Sequence, residues 1–183
     1  MLYMFLAEGF EETEAIGSLD VIRRAGIEIK TVGVSGKEVC GSHGVSVIAD
    51  IEMSDISFDD MRGVILPGGM PGTTNLQNDE SVKKCILYCA ENDLLVAAIC
   101  AAPMVLGELE LLNGKNAVCY PGFEKYLKGA KICNDGAVMD GNIVTGKGAG
   151  ASMLFGAKIV DFFMPGKGAE ILEQMQHING QVD

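Results

Sequence analysis

The sequence predicts a doubly wound α/β domain, with helices on both faces of a mostly parallel sheet. Short apolar segments alternate with longer amphipathic ones, as in chains that build such sheets. The apolar segments, such as LLVAAI at 94–99, carry no polar residue at alternate positions, which is typical of strands buried on both faces. The 24 glycines lie mainly at segment ends, where tight turns are needed. In this fold class, chemistry is expected beyond the carboxyl ends of the strands.

The individual elements follow from apolar periodicity and from the turn residues between them. The predicted strands are 2–7, 27–34, 45–49, 63–66, 94–99 and 116–119, followed by a hairpin over 138–144 with an Asp-Gly turn. The predicted helices are 12–25, 79–91, 101–112, 150–163 and 168–177. The apolar stripe expected on the first helix consists of Ile16, Leu19, Ile22 and Ala25. Gly26 is expected to end that helix.

Composition excludes several classes of protein. A chain of 183 residues with 48% hydrophobic and 21% charged residues is not disordered, and we expect one domain over 1–183. The net charge of −11 disfavours nucleic acid and anionic membranes as partners, because both require a basic surface. No apolar run approaches the roughly 20 residues of a membrane span. The first residues, LYMFLAEGFEE, lack the basic region of a signal peptide, so we expect a cytoplasmic protein.

Cysteine and histidine spacing predicts neither disulfides nor a metal site. The cysteines stand in apolar segments without C-x-x-C spacing and are expected to be mostly buried thiols. They are Cys40, Cys85, Cys89, Cys100, Cys119 and Cys133. The two histidines, His43 and His177, are not at metal-ligand spacing from each other or from a cysteine pair.

Two glycine-rich motifs resemble nucleotide-binding loops but lack essential features. Gly141-x4-Gly146-Lys147 imitates a P-loop, yet Gly148 stands where a Ser or Thr should bind magnesium. Gly146-x-Gly148-x-x-Ala151 imitates a dinucleotide fingerprint, yet it follows the last strand, with no second βαβ unit after it. We therefore expect no cofactor.

Cys100 is the first candidate for chemistry, because it stands between the apolar strand 94–99 and a helix. Ala101 and Ala102 are small, so the chain can turn sharply there, as at a nucleophile elbow. At the end of a strand and the start of a helix, the thiol is expected to have a lowered pKa and to ionise at neutral pH. A buried structural cysteine is an equally weighted alternative.

An acidic group follows the first strand at the same edge of the sheet. Its members are Glu8, Glu11, Glu12 and Glu14. Acids in the first turn of a helix commonly face water and complement the helix dipole. A carboxyl near Cys100 could instead orient the thiol or move a proton, if partial burial raised its pKa. The residues alone do not select one of the four.

Gly68 and Gly69 follow the strand 63–66 in the sequence Leu66-Pro67-Gly68-Gly69. Consecutive glycines allow backbone N–H groups to face a bound oxyanion. A plain tight turn is the alternative interpretation.

Four segments taken together resemble the ThiJ/PfpI (DJ-one) family over essentially the whole chain. They are AEGFEETEA (7–15), ILPGGMPG (65–72), VAAICAAP (96–103) and TGKGAGAS (145–152). The resemblance is to the branch of the human parkinsonism-associated protein and its bacterial relatives. It implies a flavodoxin-like domain, similar to class I glutamine amidotransferases, that forms a homodimer. It also implies that Cys100 is the reactive cysteine, Glu14 its carboxyl partner, and Gly69 and Ala101 the backbone donors.

The chain departs from the family pattern at two positions. In the protease-like branch a His follows the nucleophilic Cys, whereas here Ala101 does, which disfavours peptidase activity. In the deglycase branch a His often stands near the Cys, just before a Pro. Here Tyr120 precedes Pro121, so the resemblance places a phenol in the substrate pocket. A phenol is a poor base at neutral pH, so Glu14 is expected to carry the proton transfers alone.

The resemblance implies a cysteine-dependent, cofactor-free glyoxalase or deglycase. Its substrate would be a small reactive carbonyl, a 2-oxoaldehyde such as methylglyoxal, or an early glycation adduct. The alternative is a non-enzymatic oxidative-stress sensor or chaperone, in which Cys100 is oxidised to a sulfinate that Glu14 stabilises. A role in thiazole or thiamin metabolism rests only on the family label. Turnover of methylglyoxal distinguishes the first two hypotheses.

Overall fold

The computed structural model describes residues 1–177 of the chain. The strands are β1 (Leu2–Leu6), β2 (Ile29–Gly33), β3 (Glu38–Cys40), β4 (Ser46–Ile48), β5 (Ile51–Glu52), β6 (Gly63–Leu66), β7 (Leu95–Ile99), β8 (Asn116–Ala117), β9 (Lys131–Ile132), β10 (Ala137–Asp140) and β11 (Ile143–Gly146). The α-helices are α1 (Glu12–Arg24), α2 (Gly72–Asn78), α3 (Glu80–Glu91), α4 (Pro103–Glu108), α5 (Ser152–Phe163) and α6 (Lys167–Gln174). Single 3₁₀ turns cover Met53–Asp55, Glu124–Tyr126 and Ala149–Ala151.

Seven strands form the central sheet, in the order β10-β11-β7-β6-β1-β2-β5. Neighbouring strands are parallel, except that β10 and β11 form the antiparallel hairpin predicted from the Asp-Gly turn. The parallel order brings the carboxyl ends of β1, β6 and β7 to one edge. The predicted doubly wound, mostly parallel fold is confirmed.

Successive residues of the central strands supply two cores, one on each face of the sheet. In β1, Tyr3 and Phe5 belong to the core beneath α3 and α4, whereas Met4 and Leu6 belong to the core beneath α1 and α5. Side chains alternate between the faces of a strand, so an apolar residue is needed at every position. That requirement explains the uninterrupted apolar segments of the sequence.

Two predicted strands lie outside the central sheet. Segment 45–49 contains β4, which forms an antiparallel hairpin with β3, and segment 116–119 contains β8, which pairs with β9. Ile48 of β4 is 67% exposed, so its apolar character reflects a surface strand rather than burial in the sheet. The predicted helix 101–112 is also too long: α4 ends at Glu108, because Glu110 adopts a left-handed backbone conformation with φ of 60°.

The buried face of α1 differs from the predicted stripe. Leu19 and Ile22 are buried as expected, but Ile16 is 43% exposed. The face that packs on α5 carries small residues instead: a Cβ on Gly156 of α5 would lie only 3.1 Å from the Ser18 carbonyl oxygen. Close approach of the two helices requires small side chains at the contact. The periodicity of apolar residues does not predict such a contact.

The cysteines agree in part with expectation. All six are free, and Cys85, Cys89 and Cys119 are buried, while the other three are partly exposed. Cys85 and Cys89 lie on the buried face of α3, in agreement with the expectation of buried thiols. Within residues 1–177, the helices are too short or too polar to cross a bilayer.

Candidate active site

Cys100 occupies a sharp turn directly after β7. Its φ of 65° is left-handed, which is uncommon for a residue with a side chain. Two backbone hydrogen bonds hold this conformation: Cys100 N–H donates to the Gly146 carbonyl at 2.9 Å, and Tyr120 N–H donates to the Cys100 carbonyl at 2.8 Å. Ala101 and Ala102 are buried beneath the turn. The predicted elbow is therefore present, and it presents a partly buried thiol at the sheet edge.

Glu14 is the member of the acidic group that faces the thiol. It lies in the first turn of α1 and is only 1% exposed. Its carboxylate Oε2 accepts a hydrogen bond from Gly68 N–H at 2.8 Å, and the carboxyl also hydrogen-bonds to Cys100. Glu11 fixes the start of the helix, because its side chain accepts from the Glu14 N–H at 2.6 Å. A carboxyl buried in this way is available to the sulfur rather than to water.

Gly68 and Gly69 have different functions in the turn after β6. Gly68 was predicted to face an oxyanion, but its N–H is bonded to Glu14, so it positions the carboxyl instead. Gly69 and Ala101 donate backbone hydrogen bonds to the Cys100 sulfur. Gly69 needs to be glycine, because its φ is 90° and a Cβ would lie 2.5 Å from the Glu11 nitrogen. The two remaining donors can also face a negative charge that develops beside the sulfur.

The two reactive groups have unusual proton affinities. Burial is the main reason that the pKa of Glu14 rises to about 7; the charge of Glu11 adds to this, while hydrogen bonds from Cys100 and Gly68 oppose it. Burial, followed by the charge of Glu14, raises the pKa of the Cys100 thiol to about 12, although Ala101 and Gly69 N–H lower it. The predicted lowering of the Cys100 pKa is therefore wrong. Burial of the sulfur, together with the neighbouring carboxylate, outweighs two backbone donors.

Tyr120 lies beside the reactive turn without bonding to the sulfur through its phenol. Its backbone N–H holds Cys100, as described above, and the residue is 50% exposed. The ring packs edge-on against Phe123 at 6.5 Å between centroids and lies over Gly148, where a Cβ would come within 3.2 Å. Tyr120 thus forms a wall next to Cys100.

A second cluster of polar side chains joins Glu11, Glu12 and His43. One potential ligand atom from each residue lies within 4.8 Å of the others, so these three can hold a metal ion. They also fasten the β3–β4 hairpin to α1, because the Glu12 carboxylate accepts from the His43 N–H at 2.7 Å and contacts its Nδ1 at 2.8 Å. Although burial opposes it, the His43 hydrogen bond lowers the pKa of Glu12 to about 2. Sequence spacing missed the cluster, because it considered only histidines and cysteines.

Comparison with known proteins assigns the chain to a family. The family model described as the DJ-1/PfpI family matches residues 1–162. The chain belongs to the DJ-1/PfpI family. Protein dj-1beta of Drosophila melanogaster is 34% identical over 161 residues, which cover 86% of this chain and 86% of that relative. The Parkinson disease protein 7 homolog of Danio rerio is 34% identical over 178 residues, which cover 94% of this chain and 93% of that relative.

Other DJ-1/PfpI relatives show the range of lengths and the shared fold. Protein DJ-1 homolog B of Arabidopsis thaliana is 37% identical, but the match spans only 36% of its length. The crystal structure of Drosophila melanogaster DJ-1beta aligns with a TM-score of 0.90 at 30% identity, covering 97% of this chain and 98% of that one. Oxidized Toxoplasma gondii DJ-1 gives 0.92 at 28% identity with the same coverage. The resemblance inferred from the sequence, with its class I glutamine amidotransferase-like fold, is confirmed.

Gly68→Ala is expected to damage this DJ-1/PfpI site. A Cβ at Gly68 would lie 2.6 Å from both the Cys100 Cβ and the Glu14 Oε2, so the carboxyl and thiol must separate. Overpacking of this kind costs about 1–3 kcal/mol, which urea denaturation at neutral pH would measure. Gly150→Ala is the matched control, since a Cβ there meets nothing within 4 Å. Equal unfolding free energies for the two variants would show that the contact relaxes freely.

Proposed function

We propose that this chain is a cysteine-dependent, glutathione-independent glyoxalase that converts 2-oxoaldehydes to 2-hydroxy acids. Family membership supports a DJ-1-like function, and one observation carries the finer proposal. Glu14 is buried against Cys100 and its pKa is about 7, so near neutral pH it can both accept and return a proton. General acid–base catalysis is most effective when the pKa of the group lies near the working pH.

The first step forms a carbon–sulfur bond. Burial and the charge of Glu14 raise the pKa of the Cys100 thiol and so favour its protonated form, which must lose its proton as the sulfur attacks. The Glu14 carboxylate accepts that proton while the sulfur adds to the aldehyde carbon of R–CO–CHO. The aldehyde oxygen gains the negative charge and is stabilised by the N–H groups of Gly69 and Ala101. Transfer of the proton from Glu14 to this oxygen completes a thiohemiacetal and restores the carboxylate.

The next steps move hydrogen between the two carbons. Glu14 removes the proton from the former aldehyde carbon to give an enediol, and returns a proton to the neighbouring carbon. The hydroxyl proton moves between the oxygens, which leaves the thioester R–CHOH–CO–S–Cys100. Water then hydrolyses the thioester, releasing R–CHOH–COOH and the thiol. The net reaction adds one water, so the protein is neither oxidised nor reduced.

The same chemistry extends to early glycation adducts, in which a 2-oxoaldehyde has added reversibly to an amine or thiol. Such an adduct retains the two carbons between which Glu14 moves hydrogen. As the Cys100 sulfur bonds to the adduct carbon, the bond from that carbon to the amine or thiol breaks, and the amine or thiol leaves with the proton that Glu14 took from Cys100. The thiohemiacetal formed is the same as the one above, so deglycase activity needs no further catalytic group, only access of the adduct to Cys100. A partly exposed thiol at the sheet edge supports such access.

Lactate formation from methylglyoxal tests the proposal. The purified protein, without glutathione, should release lactate at a rate proportional to protein concentration, and iodoacetamide treatment that labels Cys100 should stop it. The reaction should be slow, because Tyr120 stands where relatives often carry a His, and a missing general base costs about 10²- to 10⁴-fold. Absence of lactate from the untreated protein would reject the glyoxalase proposal.

A redox-sensor function is the second candidate, and the same contacts favour it. Peroxide can oxidise the Cys100 thiol through the sulfenic to the sulfinic acid, with one peroxide reduced to water at each stage. A protonated Glu14 can then donate a hydrogen bond to a sulfinate oxygen. The Toxoplasma gondii relative was determined in an oxidized form. Sulfinate formation at Cys100 under mild peroxide, in a protein that makes no lactate, would favour this function.

We further propose that the chain forms a homodimer through the outer face of α1. Glu12 and Ile16 lie one turn apart on this face, and Glu12 anchors the hairpin loop that carries Val45. Ile16 is 43% exposed and Val45 is 55% exposed, so the face presents apolar groups to solvent. A second copy is the partner that the family resemblance implies.

Ile16→Lys should therefore dissociate the dimer. Because Ile16 is partly exposed, the lysine ammonium is tolerated in a monomer. In the dimer interface the same ammonium is buried without an opposite charge to pair with it. Sedimentation velocity should show the wild type as a dimer and Ile16→Lys as a monomer with unchanged circular dichroism. The control Leu87→Lys, at an apolar position of similar exposure on α3, should leave the dimer intact. A monomeric wild type would contradict the proposal.

A further inference from the structure

We propose that a cavity beside Cys100 is the binding site for the substituent R of the substrate R–CO–CHO. The cavity is lined by Tyr120, Pro121 and the loop 147–151. It selects 2-oxoaldehydes whose R group is bulky and apolar, such as an aryl group, over methylglyoxal. This inference rests on the proposed glyoxalase function and specifies its substrate class.

Backbone contacts place the cavity next to the reactive turn. One wall begins at Tyr120, whose N–H donates to the Cys100 carbonyl at 2.8 Å. The other wall follows Gly146, whose carbonyl accepts from the Cys100 N–H at 2.9 Å. Each wall is therefore hydrogen-bonded, at or next to its first residue, to the backbone of the residue that carries the sulfur.

The loop 147–151 also reaches the side of the sheet on which Glu14 lies. Ser152, the residue after the loop, packs on α1 so closely that a Cβ at Gly17 would lie 3.2 Å from its Cβ. Gly17 is three residues after Glu14, and therefore one helical turn away. The end of the loop therefore lies on the same face of the sheet as α1, which carries Glu14, and as Cys100.

The lining favours apolar groups. Pro121, Ala149 and Ala151 present only aliphatic side chains, and Tyr120 adds a half-exposed ring. The one charged side chain in the lining, Lys147, is partly buried, and its ammonium donates to Asn134 Oδ1 at 2.7 Å. An aryl ring can stack on Tyr120 and displace water from the alanines.

The size of the cavity also favours a bulky substituent. Its volume of about 390 Å³ exceeds what a methyl group requires. It falls within the roughly 300–1,000 Å³ that is common for small-molecule sites. A larger cavity of about 680 Å³ is lined chiefly by α3. That cavity lies on the core beneath α3 and α4, whereas Cys100 packs on the opposite core. Substitutions in the cavity on α3 therefore serve as controls.

The kinetic test compares phenylglyoxal with methylglyoxal. For the wild type, kcat/KM should be roughly tenfold or more higher for phenylglyoxal, a discrimination that a hydrophobic pocket can supply. Ala149→Leu fills the cavity and should lower the ratio of the two kcat/KM values about tenfold, mainly through KM for phenylglyoxal. Leu87→Ala, in the cavity on α3, should leave both values unchanged. The intrinsic reactivity of each aldehyde cancels in this comparison of ratios.

A second pair of probes tests the cavity without turnover. Phenyl vinyl sulfone and methyl vinyl sulfone alkylate thiols through the same vinyl group. Peptide mapping should show faster labelling of Cys100 by the phenyl reagent in the wild type, and loss of that advantage in Ala149→Leu. If Ala149→Leu does not fold, Tyr120→Ala removes the aromatic wall and should have the same effect.

The two tests separate the inference from the function on which it rests. Suppose that the wild type and Ala149→Leu both form lactate from methylglyoxal and have the same ratio of kcat/KM for phenylglyoxal to kcat/KM for methylglyoxal. The cavity inference is then wrong and the glyoxalase function stands. If neither 2-oxoaldehyde is turned over, the glyoxalase function is wrong. The vinyl sulfone ratio then supports the cavity as the apolar site beside Cys100, or overturns it if Ala149→Leu and Tyr120→Ala leave that ratio unchanged.

Discussion

Cys100→Ser is expected to lower lactate formation from methylglyoxal by roughly 10³-fold or more, to the level of the uncatalysed reaction. Serine fits the same backbone turn, and its hydroxyl can still bond to Glu14. A hydroxyl is, however, far less acidic than a thiol, and a carboxylate whose pKa is about 7 cannot deprotonate it efficiently. The measurement is the initial rate of lactate release at equal concentrations of folded protein.

Cys133→Ser provides the matched control for this loss of activity. Cys133 is also partly buried, but it lies in a neighbouring cavity with Asn134 and is not bonded to Glu14. The control should keep the wild-type rate, and thermal unfolding should show that Cys100→Ser remains folded. Equal rates for the wild type and Cys100→Ser would mean that the thiol takes no part in the reaction.

Glu14→Gln is expected to change how stability depends on pH. Folding raises the pKa of Glu14 from 4.5 to about 7, so the folded protein binds this proton more tightly than the unfolded chain does. The resulting stabilisation is fully present below about pH 4.5 and is lost as the pH rises through 7. The shift corresponds to about 3 kcal/mol of unfolding free energy, since each pKa unit is worth about 1.4 kcal/mol. A glutamine cannot titrate, so the variant lacks this component.

Urea denaturation between about pH 4 and pH 8 measures the effect. The free energy of unfolding of the wild type, minus that of Glu14→Gln, should fall as the pH rises across this window. Glu91→Gln, which changes an exposed carboxylate on α3, should give a flat difference. Parallel curves for the wild type and Glu14→Gln would contradict the burial of an ionisable Glu14 against Cys100.

The sequence identified the reactive turn because local features determine it. The strand β7 is apolar at every position, and only small residues follow Cys100, so both the strand and the elbow can be predicted. The two cores on either face of β1 follow from the same absence of polar residues. The strands and the turn depend on residues that are adjacent in sequence, and the two cores depend on strands that are buried on both faces.

The chemistry of the pair could not be predicted in the same way. Glu14 was selected among four acids only by resemblance, because its burial depends on Gly68, which is 54 residues away in sequence. The Cys100 pKa was predicted to fall, since neither the burial of the sulfur nor the charge of a carboxylate distant in sequence can be seen in strand and helix patterns. The contact of Glu12 with His43 was missed for the same reason.

Trapping the covalent intermediate tests the central claim most directly. The wild type is mixed with methylglyoxal, quenched in acid during the first turnover, digested and mapped by mass spectrometry. A lactoyl thioester on the peptide that contains Cys100, and its absence from Glu14→Gln treated identically, is the predicted result. A lactoyl group found instead on Cys40, Cys133 or a lysine, while lactate is still being released, would contradict the assignment of the reaction to Cys100 and Glu14.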